Sequence, residues 1–230
     1  MFAHTQRHGT AGDARTLTVL LHGYDQDEHL FDTLLTRLPQ ENVDYVCVRA
    51  PHSLGRDAYC WFPLITAPEF SMAPVIDVCS ELIAWLAGQR TRYDRIVLAG
   101  FSQGAEVASS VLRHRPDLVD GLVMLSGVLI DLPDPYFRDA LLTDRTLPTF
   151  FGTDQHDGVL PQHLLTYSTG WLDRHTAPHF HCYPGMGHRI GGTEAEDLAR
   201  FLTNLAGTPD TGVARPAATA DESQTDKAGR

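Results

Sequence analysis

The chain has 230 residues, the length of a single domain, and its hydrophobic content of 43% is that of a globular protein with a large core. Its 29 acidic and 18 basic side chains give a formal charge of -11, and such a surface repels nucleic-acid phosphates and anionic lipid headgroups. Binding to nucleic acid and to membrane surfaces is therefore excluded from the predicted functions.

Two further patterns bear on location. Residues 1–15 lack the apolar stretch of a signal peptide, and no apolar run approaches the ~20 residues that a membrane span needs. The four cysteines are scattered without a Cys-x-x-Cys pair, as is usual for reduced thiols. We expect a cytoplasmic protein that does not insert into membranes.

Strands and helices are predicted to alternate in the first half of the chain. Continuous apolar runs predict strands of a parallel sheet, and apolar residues at helical spacing predict helices. The strands fall at residues 16–21, 43–48 and 95–99, and the helices fall at 28–38 and 74–90. Residues 49–64 combine Gly, Pro and aromatic residues without a helical pattern, so we expect an irregular loop that forms a pocket wall.

The second half continues the alternation. Strands are predicted at 118–125, 149–151 and 179–183, and helices are predicted after residue 104, at 162–175 and at 193–205. Residues 130–145 are expected to form an irregular excursion that borders the active site. The order predicts one α/β domain over residues 1–206, with a mostly parallel sheet covered by helices on both faces. Residues 207–230 change to a polar, Ala- and Thr-rich composition and are predicted to be a disordered tail.

The sequence Gly100-Phe101-Ser102-Gln103-Gly104 stands where a predicted strand passes into a predicted helix. Gly-x-Ser-x-Gly alone occurs in ordinary turns, but a strand-turn-helix setting favours a nucleophile elbow, in which a strained serine exposes its hydroxyl. We therefore interpret Ser102 as a nucleophile. The backbone N–H of Gln103, at the start of the helix, is then a candidate donor to an oxyanion.

A serine nucleophile needs a base, and the base needs an acid that holds its tautomer. In serine hydrolases of the α/β class these partners follow later strands, in the order acid and then histidine. His188 follows the last predicted strand between flexible glycines, and it is the predicted base; the alternative is an exposed loop histidine. The loop after residue 151 offers two acids, Asp154 and Asp157.

The loop after the first strong strand usually supplies the second oxyanion donor. Here the backbone N–H of Tyr24 is the candidate, and His22 is interpreted as a structural residue that braces this loop. His179 and His181 alternate along a strand but lack a third ligand at a recognisable spacing. No metal site is predicted.

Together, Leu21-His-Gly-Tyr24, Trp61-Phe62, Ala99-Gly-Phe-Ser-Gln-Gly104, Asp157-x-Val-x-Pro and Gly187-His188 resemble the phospholipase/carboxylesterase family, over roughly residues 16–205. The resemblance implies a compact α/β-hydrolase with little or no lid that cleaves esters or thioesters without a cofactor. It favours Asp157 as the acid and leaves Asp154 as a turn-forming residue. Two features depart from the family pattern: Ala105-Glu106 stands where a further glycine is common, and the acid loop is longer than usual.

The resemblance also suggests substrate contacts. Trp61 and Phe62 correspond to a pair beside the acyl pocket, and Met186 in the histidine loop is a third candidate; packing of loops onto the sheet is the alternative. The predicted partner is a small-molecule ester or thioester, and a homodimer is left open. Two other functions compete with hydrolysis: a cofactor-free haloperoxidase-like reaction on the same fold, and a non-catalytic binding module with the hydrolase shape.

Overall fold

Strands and helices alternate along the chain. The computed structural model describes residues 5–8, 14–64, 71–142 and 146–207. Its strands are β1 Thr5–His8, β2 Thr16–Leu21, β3 Val43–Val48, β4 His52–Gly55, β5 Ala58–Cys60, β6 Arg95–Phe101, β7 Gly121–Leu125, β8 Pro148–Thr153 and β9 Ala177–Cys182. Its α-helices are α1 Asp32–Leu35, α2 Ala73–Gln89, α3 Gln103–His114, α4 Gln162–His175 and α5 Gly192–Gly207. Short 3₁₀ turns lie at Glu28–Phe31, Pro116–Leu118 and Asp139–Leu142.

The main sheet has seven strands in the order β1-β3-β2-β6-β7-β8-β9. β1 runs antiparallel to β3, and the other strands of this sheet pair in parallel. The strand order reverses between β2 and β6, so the loops that leave the carboxyl ends of these two strands diverge and open a crevice. His22 and Ser102 directly follow β2 and β6, and the topology therefore brings both to this crevice.

Helices cover both faces of the sheet. On one face, side chains of α2, α3 and α4 pack against Leu17, Val19 and other residues of the strands. On the other face, α5 and the segment 28–38 pack against Leu20 and its neighbours. All six residues of β2 are buried, because a central parallel strand is covered on both sides. This double cover explains why β2 is a nearly continuous apolar run in the sequence.

The predicted helix at residues 28–38 is wrong in its length. The structure has a 3₁₀ turn at Glu28–Phe31 and a single α-turn at Asp32–Leu35 instead. Phe31, Leu34, Leu35 and Leu38 are all buried against the sheet. The apolar spacing therefore identified the buried face of the segment correctly, although it does not determine the length of the helix.

The loop at residues 49–64 is more regular than predicted, because β4 and β5 form an antiparallel hairpin within it. All four residues of β4 are exposed, so no alternation of apolar and polar residues marks it in the sequence. Its turn carries positive φ angles at Gly55, Arg56 and Asp57. A second difference is β1, because the sequence pattern predicts no strand at Thr5–His8.

The excursion between β7 and β8 is irregular, as predicted, and it is held at two places. At its start, Gly127 packs against Ala105 and the backbone of Ser102, so this part borders the crevice. Further along, the carbonyl of Ile130 accepts a hydrogen bond from the Arg113 guanidinium, which also pairs with Asp139. Arg113 lies near the end of α3 that is remote from Ser102, so it holds Ile130 and Asp139, which belong to the excursion predicted at 130–145, away from the crevice. Residues 143–145 of that prediction lie outside the described residues.

No helix in the described part of the chain combines the length and apolarity needed to cross a membrane. Gly207, the first residue of the predicted tail, is the last residue of α5. Residues 208–230, on which the rest of that prediction falls, lie outside the described residues.

Candidate active site

Ser102 lies in a sharp turn between β6 and α3, with φ 51° and ψ -120°. This left-handed conformation is costly for a residue with a side chain and is held by its surroundings, since the Ser102 N–H donates to the Leu125 carbonyl at 3.0 Å. A Cβ atom at Gly100 would overlap the backbone of Gly104 and Ala105, and one at Gly104 would overlap the Leu21 carbonyl. The two motif glycines are therefore required where the turn, α3 and β2 come close together.

The structure brings Ser102, His188 and Asp157 together. His188 Nε2 lies 2.9 Å from Ser102 Oγ, and His188 Nδ1 lies 2.7 Å from Asp157 Oδ2. An ionised carboxylate can only accept, so Nδ1 carries the proton of the second bond, and a neutral imidazole then accepts from the serine hydroxyl through Nε2. The side chain of Asp157 is fully buried, whereas that of His188 is 20% exposed. This arrangement can take a proton from Ser102 and stabilise the resulting imidazolium.

Asp157 has a second bond that fixes its carboxylate. Its Oδ1 accepts the N–H of Val159 at 2.8 Å, which leaves Oδ2 for His188. Both oxygens are thus occupied, and the rotation of the carboxylate is restricted.

Asp154, the competing acid, does not contact His188 but supports its loop. Its Oδ1 accepts from the N–H of His156 at 3.0 Å, which is the predicted turn-forming role. Its Oδ2 reaches the histidine loop and accepts the N–H of Gly187 at 2.9 Å. The Gly187 N–H and then the His156 N–H lower the pKa of Asp154, because they stabilise its ionised form. Asp154 is therefore a positioning residue that sequence reasoning missed, because its partner is distant in sequence.

The two predicted oxyanion donors lie on segments that flank Ser102. Gln103 is the first residue of α3, so its N–H has no acceptor within the helix. Tyr24 follows Gly23, where an added Cβ would stand 3.1 Å from Ser102 Cβ. The loop is held in part by Gln26, whose Oε1 accepts the Gly23 N–H at 3.0 Å. The role of these two N–H groups as oxyanion donors remains a prediction.

With the geometry in place, comparison with known proteins decides the family. A sequence model of the phospholipase/carboxylesterase family matches residues 9–206. The chain belongs to this family. The resemblance drawn from its motifs is thus confirmed, and the family is one of carboxylesterase- and thioesterase-type hydrolases.

Two curated relatives of this phospholipase/carboxylesterase chain align over about half of it. Lipase LipV of Mycobacterium tuberculosis is 34% identical over 122 residues, which cover 53% of this chain and 40% of the lipase. Acyl-protein thioesterase 1 of Kluyveromyces lactis is 26% identical over 113 residues, which cover 48% of this chain and 50% of the thioesterase. The matches thus span half or less of the relatives' own lengths.

Solved structures match over nearly the whole domain. Acyl-protein thioesterase 2 of Zea mays superposes with a TM-score of 0.74 at 20% identity, covering 90% of this chain and 100% of that chain. A carboxylesterase of Mesorhizobium loti superposes with a TM-score of 0.72 at 22% identity, covering 86% and 93% of the two chains. At these identities the likeness establishes the fold, and the predicted α/β-hydrolase architecture is confirmed.

The side chain of Gln103 links the phospholipase/carboxylesterase elbow to the neighbouring loop. Its Oε1 accepts the N–H of Trp61 at 2.9 Å, and its Nε2 donates to the carbonyl of Phe62 at 2.8 Å. Sequence reasoning considered only the backbone of Gln103 and missed this clamp. The available signal was the family motif itself, in which glutamine follows the serine.

The predicted substrate contacts are all buried. Trp61 has no exposed surface, and its indole N–H donates to the His22 carbonyl at 2.7 Å. Phe62 is 3% and Met186 8% exposed, and Met186 Sδ lies against Gly191. All three side chains pack against other parts of the protein, and substrate contact by any of them stays a prediction.

His22 braces the loop after β2, as predicted. Its Nδ1–H donates to the Gly23 carbonyl at 2.7 Å, and its Nε2 accepts the N–H of Ala50 at 3.0 Å. Burial lowers the pKa of His22, although the Gly23 carbonyl acts in the opposite direction. A neutral imidazole satisfies both bonds, so both ring nitrogens of His22 are engaged in holding the backbone.

His179 and His181 lie on β9, away from Ser102. His181 Nδ1 lies 3.5 Å from Asp197, whose other oxygen pairs with Arg200. Within the described residues no three His, Cys, Asp or Glu side chains are grouped as they would be around a metal ion.

Proposed function

We propose that the protein is a serine hydrolase that cleaves carboxylic esters or thioesters through an acyl-enzyme intermediate. The observation that carries the proposal is the continuous hydrogen-bonded series Asp157–His188–Ser102, with distances of 2.7 and 2.9 Å. It stands at the carboxyl ends of the strands in a chain of the phospholipase/carboxylesterase family. The names of the relatives, a lipase, thioesterases and carboxylesterases, support the same reaction class.

In the first half-reaction, Ser102 Oγ attacks the carbonyl carbon while its proton passes to His188 Nε2. The negative charge that develops on the carbonyl oxygen is stabilised by the backbone N–H groups of Tyr24 and Gln103. Collapse of the tetrahedral intermediate breaks the bond to the leaving oxygen or sulfur, which takes the proton from His188. Ser102 is left acylated.

In the second half-reaction, His188 accepts a proton from water, whose oxygen attacks the acyl carbon. Collapse of this second tetrahedral intermediate breaks the bond to Ser102 Oγ, which takes the proton back from His188, and the carboxylic acid is released. Asp157 keeps Nδ1–H directed at its carboxylate throughout and stabilises the imidazolium that forms in each half-reaction. His188 accepts a proton only when it is neutral, so activity should fall as the pH is lowered and the imidazole is protonated. None of these steps draws on a cofactor.

Replacement of Ser102 by Ala tests the proposal directly. Turnover of p-nitrophenyl acetate should fall by roughly 10³-fold or more in kcat, and labelling by a fluorophosphonate probe should disappear. Ser80→Ala, on the exposed face of α2, is the matched control and should retain both. Retained turnover in folded Ser102→Ala protein would contradict the assignment of Ser102 as the nucleophile. A folded wild-type protein that is not labelled by the probe would favour a non-catalytic binding module instead.

Preference between oxygen and sulfur leaving groups is a separate measurement. Comparison of kcat/KM for an acyl ester and the thioester with the same acyl group would assign the chain to the esterase or the thioesterase type. A cytoplasmic location and a homodimer remain predictions from the sequence.

A further inference from the structure

A cleft of about 320 Å³ lies beside the candidate active site, on the face of the sheet that carries α1 and α5. His188 forms part of its wall, and so does Phe101, the residue before Ser102. Its apolar lining comes mainly from Leu30, Leu34 and Ile190. The cleft therefore adjoins the reacting atoms and offers an apolar surface to a bound group.

Two arginines, Arg37 and Arg189, also line this cleft. Both are exposed, and neither has an ion pair or a side-chain hydrogen bond within the described residues. Other arginines of the chain do pair with carboxylates, as Arg49 does with Glu28 and Arg113 with Asp139. In a chain with a formal charge of -11, two free guanidinium groups at one cleft form a local positive site.

The start of α5 adds to this positive character. Gly191 and Gly192 line the cleft, and the Ala195 N–H donates to the Gly191 carbonyl as the first turn of the helix forms. The N-terminus of a helix favours an anion through its dipole. Arg37 belongs to the same corner, since its Nη1 lies 3.7 Å from the Cβ position of Gly192.

The acidic residue of this first turn, Glu194, is fully buried, and its Oε1 packs against Gly152 of β8. Its Oε2 accepts the Gly191 N–H at 3.2 Å, and burial raises the pKa of its carboxyl, which favours the neutral form. No Asp or Glu is among the described residues that line the cleft. An anion bound there would meet two guanidinium groups, and the described lining of the cleft presents no carboxylate to it.

The position of the cleft relative to His188 indicates which part of a substrate enters it. In the proposed mechanism His188 hands its proton to the leaving atom, so the leaving group departs on the histidine side of Ser102. The leaving group is thus assigned to the face that carries α1 and α5, whereas the Trp61–Phe62 loop, held by Gln103, packs into the core on the opposite face.

We propose that this cleft is a subsite for a leaving group that has an apolar body and an anionic end, a carboxylate or a phosphate, bound by Arg37 and Arg189. The proposal rests on the proposed function and narrows it to alcohol or thiol esters with a negatively charged leaving group. The anion would receive charge-assisted hydrogen bonds from the two guanidinium groups, which suit planar and tetrahedral oxyanions.

The test compares 4-acetoxybenzoate with 4-acetoxybenzamide, which has the same shape and a neutral leaving group. For each ester, kcat/KM is divided by the rate constant of spontaneous hydrolysis. The preference is the ratio of the benzoate value to the benzamide value, and it should exceed one for the full-length chain. Arg37→Gln and Arg189→Gln should each lower this preference about 5- to 10-fold, slightly less than the weakest hydrogen bonds to charged groups give, because both guanidinium groups are exposed to solvent. Added NaCl should reduce the preference in the wild type, because salt screens exposed charges.

Arg138→Gln is the matched control, since Arg138 is exposed and its N–H bonds to Arg113 at the far end of α3. It should leave the preference unchanged. An equal loss in Arg138→Gln, or no loss in either cleft variant, would overturn the subsite.

A third probe, monophenyl adipate against phenyl acetate, carries the charge on the acyl side. If the cleft variants change the preference for the adipate ester and not for the benzoate, the assignment to the leaving group is wrong. If the wild-type protein hydrolyses neither ester of the first pair, the proposed function fails and the subsite with it. Wild-type turnover with an unchanged preference in the variants would overturn the subsite alone.

Discussion

The carboxylate of Asp154 accepts the N–H of Gly187, one residue before His188, at 2.9 Å. Asp157, three residues further along the same loop, bonds to the imidazole itself at 2.7 Å. Two acids of one loop therefore act on the histidine in different ways, one through the backbone and one through the ring. Substitution of Asp154 should therefore disturb the position of the histidine loop, whereas substitution of Asp157 should disturb the placement of the proton on the His188 ring.

Asp157→Asn should lower kcat by about 10⁴-fold, because an amide favours the wrong tautomer of His188. Asp154→Ala should cost only about 10-fold, since it frees the Gly187 backbone and leaves the carboxylate–imidazole bond in place. Steady-state kinetics with p-nitrophenyl acetate measures both. Asp154→Asn retains an amide oxygen as an acceptor and should recover most of the loss. A larger loss at Asp154 than at Asp157 would reverse the assignment of the two acids.

Gln103→Ala should destabilise the fold by roughly 2 to 3 kcal/mol, because it removes two buried hydrogen bonds, one from the Trp61 N–H and one to the Phe62 carbonyl. Chemical denaturation measures the change in the free energy of unfolding. Gln162→Ala, at the exposed start of α4, is the control and should change stability little. Equal stability of the two variants would show that the clamp contributes nothing to the fold.

Glu194 should make stability depend on pH. Burial raises the pKa of its carboxyl to about 7, while the Gly191 N–H opposes the shift. The folded state then binds a proton more tightly than the unfolded chain, so the contribution is complete below pH ~4.5 and is lost as the pH rises through about 7. Glu194→Gln should remove a decline of roughly 3 kcal/mol between pH 5 and 8. Urea titrations at several pH values in this range give the free energy of unfolding of the wild type and the variant. The same dependence on pH in both proteins would refute the assignment.

Asp139→Ala should destabilise the protein by about 3 to 5 kcal/mol, because it removes the carboxylate that pairs with the buried Arg113 guanidinium. The Arg113 side chain is 4% exposed, and Asp139 receives its guanidinium at 2.9 and 2.8 Å as well as the Trp171 indole N–H at 2.9 Å. Thermal unfolding gives the measurement. Asp131→Ala, on the exposed part of the same excursion, should unfold as the wild type does; a similar loss there would point to the excursion as a whole rather than to the ion pair.

Patterns that depend on burial were predictable from the sequence. The strands at 16–21 and 43–48 match β2 and β3, because a strand covered on both faces is mostly apolar. The predicted helix at 162–175 matches α4, because the buried face of this helix places apolar residues at helical spacing. The exposed β4–β5 hairpin was not predictable in this way, since nothing in its environment demands an apolar pattern.

The candidate site shows the same division. Ser102 and His188 could be predicted because local sequence, a strand followed by glycines and a turn, determines where each side chain lies. The clamp from Gln103 to Trp61 and the support of Gly187 by Asp154 join residues that are distant in sequence. Such contacts depend on how loops pack after the sheet has formed, and one sequence carries no record of that packing.

The accessibility of the four cysteine thiols reports which part of the domain unfolds. Cys47, Cys60 and Cys79 are buried in β3, β5 and α2, and burial raises the thiol pKa of each, to about 12 for Cys47 and Cys79. Cys182, on the edge strand β9, is exposed. An alkylating reagent should therefore modify one thiol in the native protein and four after unfolding, so mass spectrometry after a short pulse would show which layer of the domain opens first.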